Sequence, residues 1–417
     1  MSHGLNDAAG KPPRLLLFTT QRWPTAALLA QALVDAGVEV ATLCPAGHPL
    51  RAVKGLAAAP TYRHLRRHAQ LADLIAAHCP VAVVPCDDDA VAILHDHHAR
   101  CATAPTRARL IEQSLGDPAQ YFLLRHKSAF VRLAAEHGLQ TPQTVVIESR
   151  ADLVARLATT RFPVVVKADG WSGGRGTRIA RSADEALAAF ESLSRPLSWT
   201  AALRDALYDG AMTPLYRRAE QAPAVVALQA FAPGAPVNRA VICRGGKVIA
   251  GRTFEAVQTM PNNGNATVVR PRHIPQVDAA VERCVALLGL SGLAGFDFIY
   301  DDAMDAAYLL EVNPRATSAC YTAPAGEANL AVALFAAMTG GSLPSDPLAG
   351  EAERSLIALF PQEFERDPAS RHLRDAEQQT PLDRPDLVEA CLSQAARRSP
   401  YARIVDTIKA VRAGRQA

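Results

Sequence analysis

At 417 residues, 49% apolar and 20% charged, the chain has the composition of a globular protein long enough for two or three domains. Its net charge of +3 is small for that length and gives no argument for nucleic acid or an anionic membrane as partner. Eight cysteines are scattered without a CxxC pair, and MSHGLNDAAGKPP lacks the apolar core of a signal peptide. No uncharged apolar run approaches the roughly 18 residues that span a bilayer, so a cytoplasmic protein without disulfides is expected.

Arg14 to Thr20 (RLLLFTT) reads as a buried strand, Thr25 to Ala36 as a helix ended by Gly37, and Val38 to Leu43 as a second strand. This is a βαβ start. The connecting TTQRWPT contains no GxGxxG, so a dinucleotide fingerprint is absent. Leu71 to His78 is helical, and Val81 to Pro85 is a further strand running into Cys86-Asp87-Asp88-Asp89. Three aspartates there read as the N-cap and first-turn charges of a helix rather than as a binding cluster. Gly116-Asp117-Pro118 marks a boundary, after which Ala119 to Gly138, carrying Lys127, reads as one helix with Pro142 beyond it.

The stretch RFPVVVKADGWSGGRGTRIARS, residues 161 to 182, places a strand core at Val164 to Val166 with Lys167 directly after it. Four glycines (Gly170, Gly173, Gly174, Gly176) then precede a short strand, Thr177 to Ala180, and Ser182 caps a helix to Leu193. Backbone amides of such a loop can approach phosphate oxygens, with Lys167 and Arg175 supplying charge. It is not a Walker loop, because no GK[ST] opens a helix. Gly170 to Gly174 also spells GxSxG around Ser172, the nucleophile elbow of α/β-hydrolases, with His273 downstream. That elbow needs a helix directly after the serine, and glycines followed by a β-prone TRIA stand there instead.

Residues 194 to 222 read as a helical insertion. Ala224 to Ala232, Val237 to Arg244 and Lys247 to Thr253, separated by Pro233-Gly234 and Gly245-Gly246, read as an antiparallel meander. Arg252, Arg270, Arg272 and His273 fall near a polar NNGN loop and could hold an anion, although surface arginines are the commoner case. Val277 to Leu288 is a helix ended by Gly289.

LAGFDFIYDDAMDAAYLLEVNPR, residues 293 to 315, is a hairpin pattern: two apolar runs around an Asp-rich turn near Met304. With that turn Asp297 faces Glu311, and alternation puts Asn313 on the same face. Two facing carboxylates repel unless a cation lies between them, and an Asp/Glu/Asn oxygen set suits magnesium. An exposed hairpin with solvated acids is the alternative. Beyond it come an apolar helix, Ala328 to Met338, a linker at 344 to 352, a strand at Leu356 to Phe360 and two basic helices over 385 to 414.

Together these stretches resemble the ATP-grasp superfamily, nearest its carbamoyl-phosphate-synthase-like and biotin-carboxylase-like members. The resemblance rests on Lys127 followed by GLQTP, FPVVVKADGWSGGRGT, LQAFAPG and GFDF…LLEVNPR, in that order. It implies an α/β and α+β protein: an N-terminal parallel α/β (pre-ATP-grasp) domain over 1–117, an ATP-grasp fold of two α+β subdomains over 118–340 with a hinge strand near 225–234, and a C-terminal extension over 341–417. It further implies an ATP-dependent carboxylate–amine (or carboxylate–thiol) ligase working through an acyl phosphate, with ATP and Mg2+ (or Mn2+), small-molecule carboxylate and amine substrates and no nucleic-acid or membrane partner; a homo-oligomer is left open. Carried over by position, Lys127 and Lys167 contact phosphates, Gly173, Gly174 and Gly176 close over them, and Gln229, Ala230, Phe231 and Ala232 meet adenine. Asp297, Glu311 and Asn313 hold the metal, and Arg315, with Lys167, stabilises charge during transfer. Gln229 stands where many relatives carry a glutamate, and the segment ATSACYTAPAG after the NPR motif departs from the biotin carboxylases. An ATP-binding sensor that performs no ligation is the alternative reading, and an α/β-hydrolase on Ser172 the remote one.

Overall fold

The computed structural model describes residues 12–169, 176–195, 198–209, 212–220, 224–261, 264–324, 329–341 and 356–398. The N-terminal part alternates β1 (Arg14–Phe18), α1 (Pro24–Asp35), β2 (Glu39–Leu43), α2 (Arg67–His78), β3 (Ala82–Pro85), α3 (Asp88–Ala99) and α4 (Pro105–Leu115). The three strands are parallel in the order β2-β1-β3. Such a sheet is covered on both faces, which is why RLLLF is continuously apolar. Leu16 and Phe18 of β1 pack into one core with Ile111, Phe296 and Leu309. Leu15 and Leu17, on the opposite face, join Leu29, Ile242, Phe254 and Leu387. One strand's alternation therefore feeds two cores, each shared with the large sheet that follows.

The single helix expected over 119 to 138 is two. α5 (Tyr121–Arg125) ends at His126, whose backbone is extended at φ −123° and ψ 92°, and α6 (Lys127–Glu136) starts afresh. The cause is local. His126 Nδ1 lies 2.8 Å from the Phe122 carbonyl oxygen and the ring stacks on Phe122 at 4.2 Å. Side-chain bonding to the backbone competes with the helical ladder. Lys127 therefore opens a helix instead of riding on the middle of one.

A four-stranded antiparallel sheet, in the order β4-β7-β5-β6, follows from β4 (Thr144–Ile147), β5 (Val164–Ala168), β6 (Thr177–Ala180) and β7 (Val226–Ala230). Helices α7 (Arg150–Leu157) and α8 (Ala183–Ser194) close its core through Leu153, Leu193, Val164, Val166 and Leu228. Between α8 and β7, α9 (Trp199–Asp209) and α10 (Thr213–Glu220) form the helical insertion. Because β5 and β6 pair antiparallel from Val164↔Ala180 to Lys167↔Thr177, a strand and not a helix follows the glycine segment. This removes the nucleophile-elbow reading of Ser172, itself outside the described residues.

The large sheet has seven strands in the order β12-β11-β8-β9-β10-β13-β14. They are β8 (Ala235–Arg244), β9 (Lys247–Thr259), β10 (Ala266–Arg272), β11 (Gly292–Asp301), β12 (Ala306–Asn313), β13 (Ile357–Ala358) and β14 (Glu377–Gln378). The meander expected over 224 to 253 is thus divided: β7 belongs to the small sheet, and only β8 and β9 pair. Ala232-Pro233-Gly234 is a crossing between sheets, not a hairpin turn. Gly234 has φ +120°, and a Cβ there would lie 2.1 Å from the Tyr300 carbonyl oxygen, so the crossing needs glycine on both counts. Helix α11 (Pro275–Leu288) ends at Gly289 with φ +56°. It is followed in chain order by α12 (Leu330–Thr339), α13 (Gln362–Arg366), α14 (His372–Asp375) and α15 (Pro385–Arg398). The strand expected at 356 to 360 is only β13, and the second helix expected towards 414 lies outside the described residues, as does the linker at 344 to 352. No helix among the described residues is long and apolar enough to cross a membrane.

Candidate active site

The facing acids are paired as expected, but through a bulge: Phe298 pairs with Leu309, and a register shift then sets Asp297 opposite Glu311 and not Leu310. In the β11–β12 pair Asp297 is opposite Glu311, and Gly295 is opposite Asn313. Asn313 Nδ2 donates to Asp297 Oδ2 at 2.9 Å and to Glu311 Oε1 at 3.2 Å. From the neighbouring strand, Asn238, in register with Asp297, donates to Asp297 Oδ1 at 2.6 Å. Lys127, placed at the first position of α6 by the break at His126, donates to Glu311 Oε2 at 2.7 Å. Three donors thus hold two carboxylates together on one sheet face.

The electrostatics follow from that arrangement. Burial, reinforced by the Glu311 charge, pushes the Asp297 carboxyl well above the usual carboxylate range. Burial would also raise Glu311, but Lys127 reverses the sign and holds it low. Burial lowers the ammonium pKa of Lys127, yet Glu311 and then Asp88 overcome this and raise it. Lys167, second-last in β5, is pushed down by burial. Its ammonium makes no hydrogen bond or ion pair with a described residue and borders the cavity between the sheets.

That cavity has a volume of about 530 Å3. Lys127, Lys167, Gln229, Glu311, Asp297 and Arg315 all reach it, and Ala230, Phe231 and Ala232 line its small-sheet side. A smaller recess of about 70 Å3 beside it is reached by Lys127, Ser128, Lys167, Asp169 and Gly176. Gln229 is 3% exposed and anchored through Nε2 to Thr144 Oγ1 at 2.8 Å. The two ends of the glycine segment are tied down: Ala168 N donates to Gly176 O at 2.8 Å, and Ser128 Oγ to Asp169 Oδ2 at 2.6 Å. Gly173 and Gly174 lie outside the described residues.

Arg315 lies two residues past the end of β12 and reaches the N-terminal part. Its Nε donates to Asp88 Oδ1 at 2.6 Å, its Nη2 to Asn313 Oδ1 at 3.2 Å, and its guanidinium carbon lies 5.8 Å from the Trp23 ring centre. Burial would lower its pKa, but Asp88 more than offsets this. Asp87, fully buried, caps α3 by accepting from Ala90 N at 2.8 Å, and also takes Thr19 Oγ at 2.7 Å and Thr20 N at 2.6 Å. It thereby fixes the loop that carries Trp23. The N-cap and first-turn reading holds for Asp87 and for Asp88 and Asp89, but it does not foresee that Asp88 also pairs with Arg315 across 227 residues of sequence. Asn238 was missed as well; nothing in PVNRAVIC says which strand it will adjoin. The suggested anion-binding arginines are otherwise engaged, Arg270 and Arg272 with Glu255 and His273 with Asp278.

Two family descriptions match the sequence in tandem over this region. Residues 126–208 match the carbamoyl-phosphate synthase L chain, ATP binding domain, and residues 208–319 match the ATP-grasp domain. The chain carries an ATP-grasp domain. Its fold recurs in solved structures at low identity. The carboxyaminoimidazole ribonucleotide synthase of Aspergillus clavatus, complexed with ATP, is 13% identical with a TM-score of 0.58, covering 82% of this chain and 80% of that one. The biotin carboxylase domain of Hydrogenobacter thermophilus 2-oxoglutarate carboxylase, in complex with MgADP, ADP and bicarbonate, is 14% identical with a TM-score of 0.56, covering 82% and 73%. Biotin carboxylase of Campylobacter jejuni, in a β-γ-ATP complex, gives the same identity and TM-score over 82% and 74%. No curated protein sequence matches the chain. The matched residues take in the small sheet and strands β8 to β12 of the large one, with the cavity between them.

Proposed function

We propose that the protein is an ATP-dependent ligase that joins a carboxylic acid to an amine (or a thiol) through an acyl phosphate, releasing ADP and phosphate. The observation that carries this is the convergence of Lys127, Lys167, the Asp297–Glu311 pair and Arg315 on one cavity. The nucleotides held by the Hydrogenobacter and Campylobacter structures support it.

In this reading Lys127 and Lys167 hold phosphate oxygens, with Gly173, Gly174 and Gly176 closing over them. Gln229, its amide nitrogen engaged by Thr144, offers its carbonyl oxygen to the adenine amino group, and Ala230 to Ala232 supply backbone groups. The Asp297/Glu311/Asn313 oxygens fit a hard divalent cation: two carboxylates are held together by donors alone, with one pushed towards its protonated form. Magnesium, or manganese, held there would neutralise phosphate charge.

Arg315 orients the substrate carboxylate, whose oxygen attacks the γ-phosphorus as the bond to the bridging oxygen breaks and ADP departs. Lys167 and Arg315 stabilise the charge on the phosphoryl group in flight. A neutral amine then adds to the acyl carbon, phosphate leaves with the C–O bond, and the amine proton passes to solvent or phosphate. Exclusion of water from the cavity protects the acyl phosphate.

The test is calorimetric titration with a non-hydrolysable ATP analogue, with and without magnesium, followed by ADP release on adding pooled acids and amines. Magnesium-dependent binding lost in the Asp297→Asn/Glu311→Gln double variant is the expected result. Absence of nucleotide binding in the unaltered protein would sink the reading. Binding without ADP release from any pool would instead favour a module that senses ATP without turnover.

A further inference from the structure

The cavity has two chemically different ends. Around Lys127, Lys167, Asp297 and Glu311 it is dense with charge. Its described lining also includes Arg315 with Trp23, whose ring centre lies 5.8 Å from the guanidinium carbon, and Thr25, Thr317, Thr322 and Gln362, together with Phe254, Val269 and Leu359, which share one apolar core. Apart from Arg315 and the four charged residues just named, every described side chain lining the cavity is uncharged. The nearby cations do not contribute, because Arg270 and Arg272 alternate to the other face of β10 from Val269 and are paired with Glu255. Arg315 is itself compensated by Asp88 at 2.6 Å.

A phosphate group seeks clustered guanidinium, ammonium or backbone N–H donors, and an ammonium group seeks a carboxylate. Burying either against hydroxyls, one amide and apolar carbon is costly. One guanidinium beside an indole, with hydroxyls around it, matches a different ligand: a single carboxylate on an uncharged body. We propose that the acid substrate of this cavity is a monocarboxylate whose uncharged, partly apolar body lies against Trp23, and is neither a phosphorylated nor a zwitterionic compound. The inference rests on the ligase reading for the acid's role, but the binding preference can be measured apart from turnover.

The experiment is equilibrium binding of phenylacetate, benzoate, glutamate and phosphoenolpyruvate to the full chain. It is run with magnesium and the ATP analogue present, and repeated without them. With the analogue filling the lysine end, phenylacetate or benzoate is expected to bind at least about tenfold more tightly than glutamate or phosphoenolpyruvate. Trp23→Ala should weaken phenylacetate about tenfold, the loss expected from roughly 60 Å2 of apolar contact, and Trp23→Phe should restore most of it. Without the analogue the comparison is phenylacetate against glutamate, because phosphoenolpyruvate can then occupy the lysines. Tighter binding of glutamate in either condition, or of phosphoenolpyruvate with the analogue present, overturns the proposal. So does failure of both neutral-bodied acids to bind in either condition, or indifference to Trp23→Ala. Failure of the ligase reading shows differently, as no nucleotide binding or ADP release while phenylacetate still outranks glutamate.

Discussion

In the proposed reaction the chemistry of the charged end turns on Asp297. Its raised pKa, caused by burial and then by Glu311, means the folded protein binds a proton at Asp297 that the unfolded chain has lost above about pH 4. Stability therefore falls as pH rises from there through the raised value. Asp297→Asn removes that cost, so without nucleotide or metal its unfolding temperature at neutral pH should rise by roughly 1–3 °C, while magnesium-dependent nucleotide binding disappears. Calorimetry and thermal unfolding on the same preparation check both halves. A metal ligand must also be deprotonated. The magnesium-dependent part of nucleotide affinity should accordingly weaken as pH is lowered towards the ordinary carboxylate range, beginning well above it, when titrations are repeated across that interval. Lys167, without a described partner, should matter mainly to turnover: Lys167→Ala is expected to lower kcat about 100-fold, by analogy with the loss of one charge-stabilising donor, measured as ADP release. At this scale much was legible. The facing of Asp297 and Glu311 and the shared face of Asn313 are expected from the turn and alternation, but the pairing also depends on a bulge between Asp297 and Phe298 that the sequence pattern does not show. The contacts from Asp88 and Asn238 are not expected, because they depend on which distant elements become neighbours.

Among elements, the informative departures are the broken helix and the divided meander. The break at His126 arises from one imidazole–carbonyl contact and one ring stack, neither of which alters hydrophobic periodicity, so the sequence pattern runs on through it. The consequence is specific: Lys127 stands at a helix start, within reach of Glu311. The separation of β7 from β8 was illegible for another reason. Pro233-Gly234 has the same composition whether the chain reverses within a sheet or crosses to another. The structure distinguishes them through Gly234, whose φ and proximity to the Tyr300 carbonyl exclude a side chain. Gly234→Ala should therefore destabilise by about 2–3 kcal/mol in denaturant unfolding. Because the crossing joins the Gln229 strand to the Asn238 strand, it should also weaken the nucleotide analogue; a variant as stable and as tight as the parent would contradict this account.

For the whole molecule, the parallel α/β part is not an appendage. Both faces of β1 bury into cores that also contain residues of the large sheet, and Asp88 and Trp23 reach Arg315 from it. A fragment beginning at residue 118 would expose Phe296 and Leu309 and leave Arg315 without its carboxylate partner. It should be recovered mainly as aggregate and show no ADP release, whereas co-expression with residues 12–117 should restore soluble material in size-exclusion chromatography. The last described helix closes the same core from the far end of the sequence: Leu387, Val388 and Leu392 of α15 pack with Leu29 and Leu33 of α1, and Arg384 pairs with Asp35 at 3.0 Å. This has a consequence for synthesis on the ribosome. The α15 cover of α1 arrives roughly 350 residues after α1 itself, a delay on the order of 20–70 s at bacterial to eukaryotic elongation rates. For that interval the nascent chain carries an uncovered patch, and a holding chaperone is the natural occupant until α15 emerges.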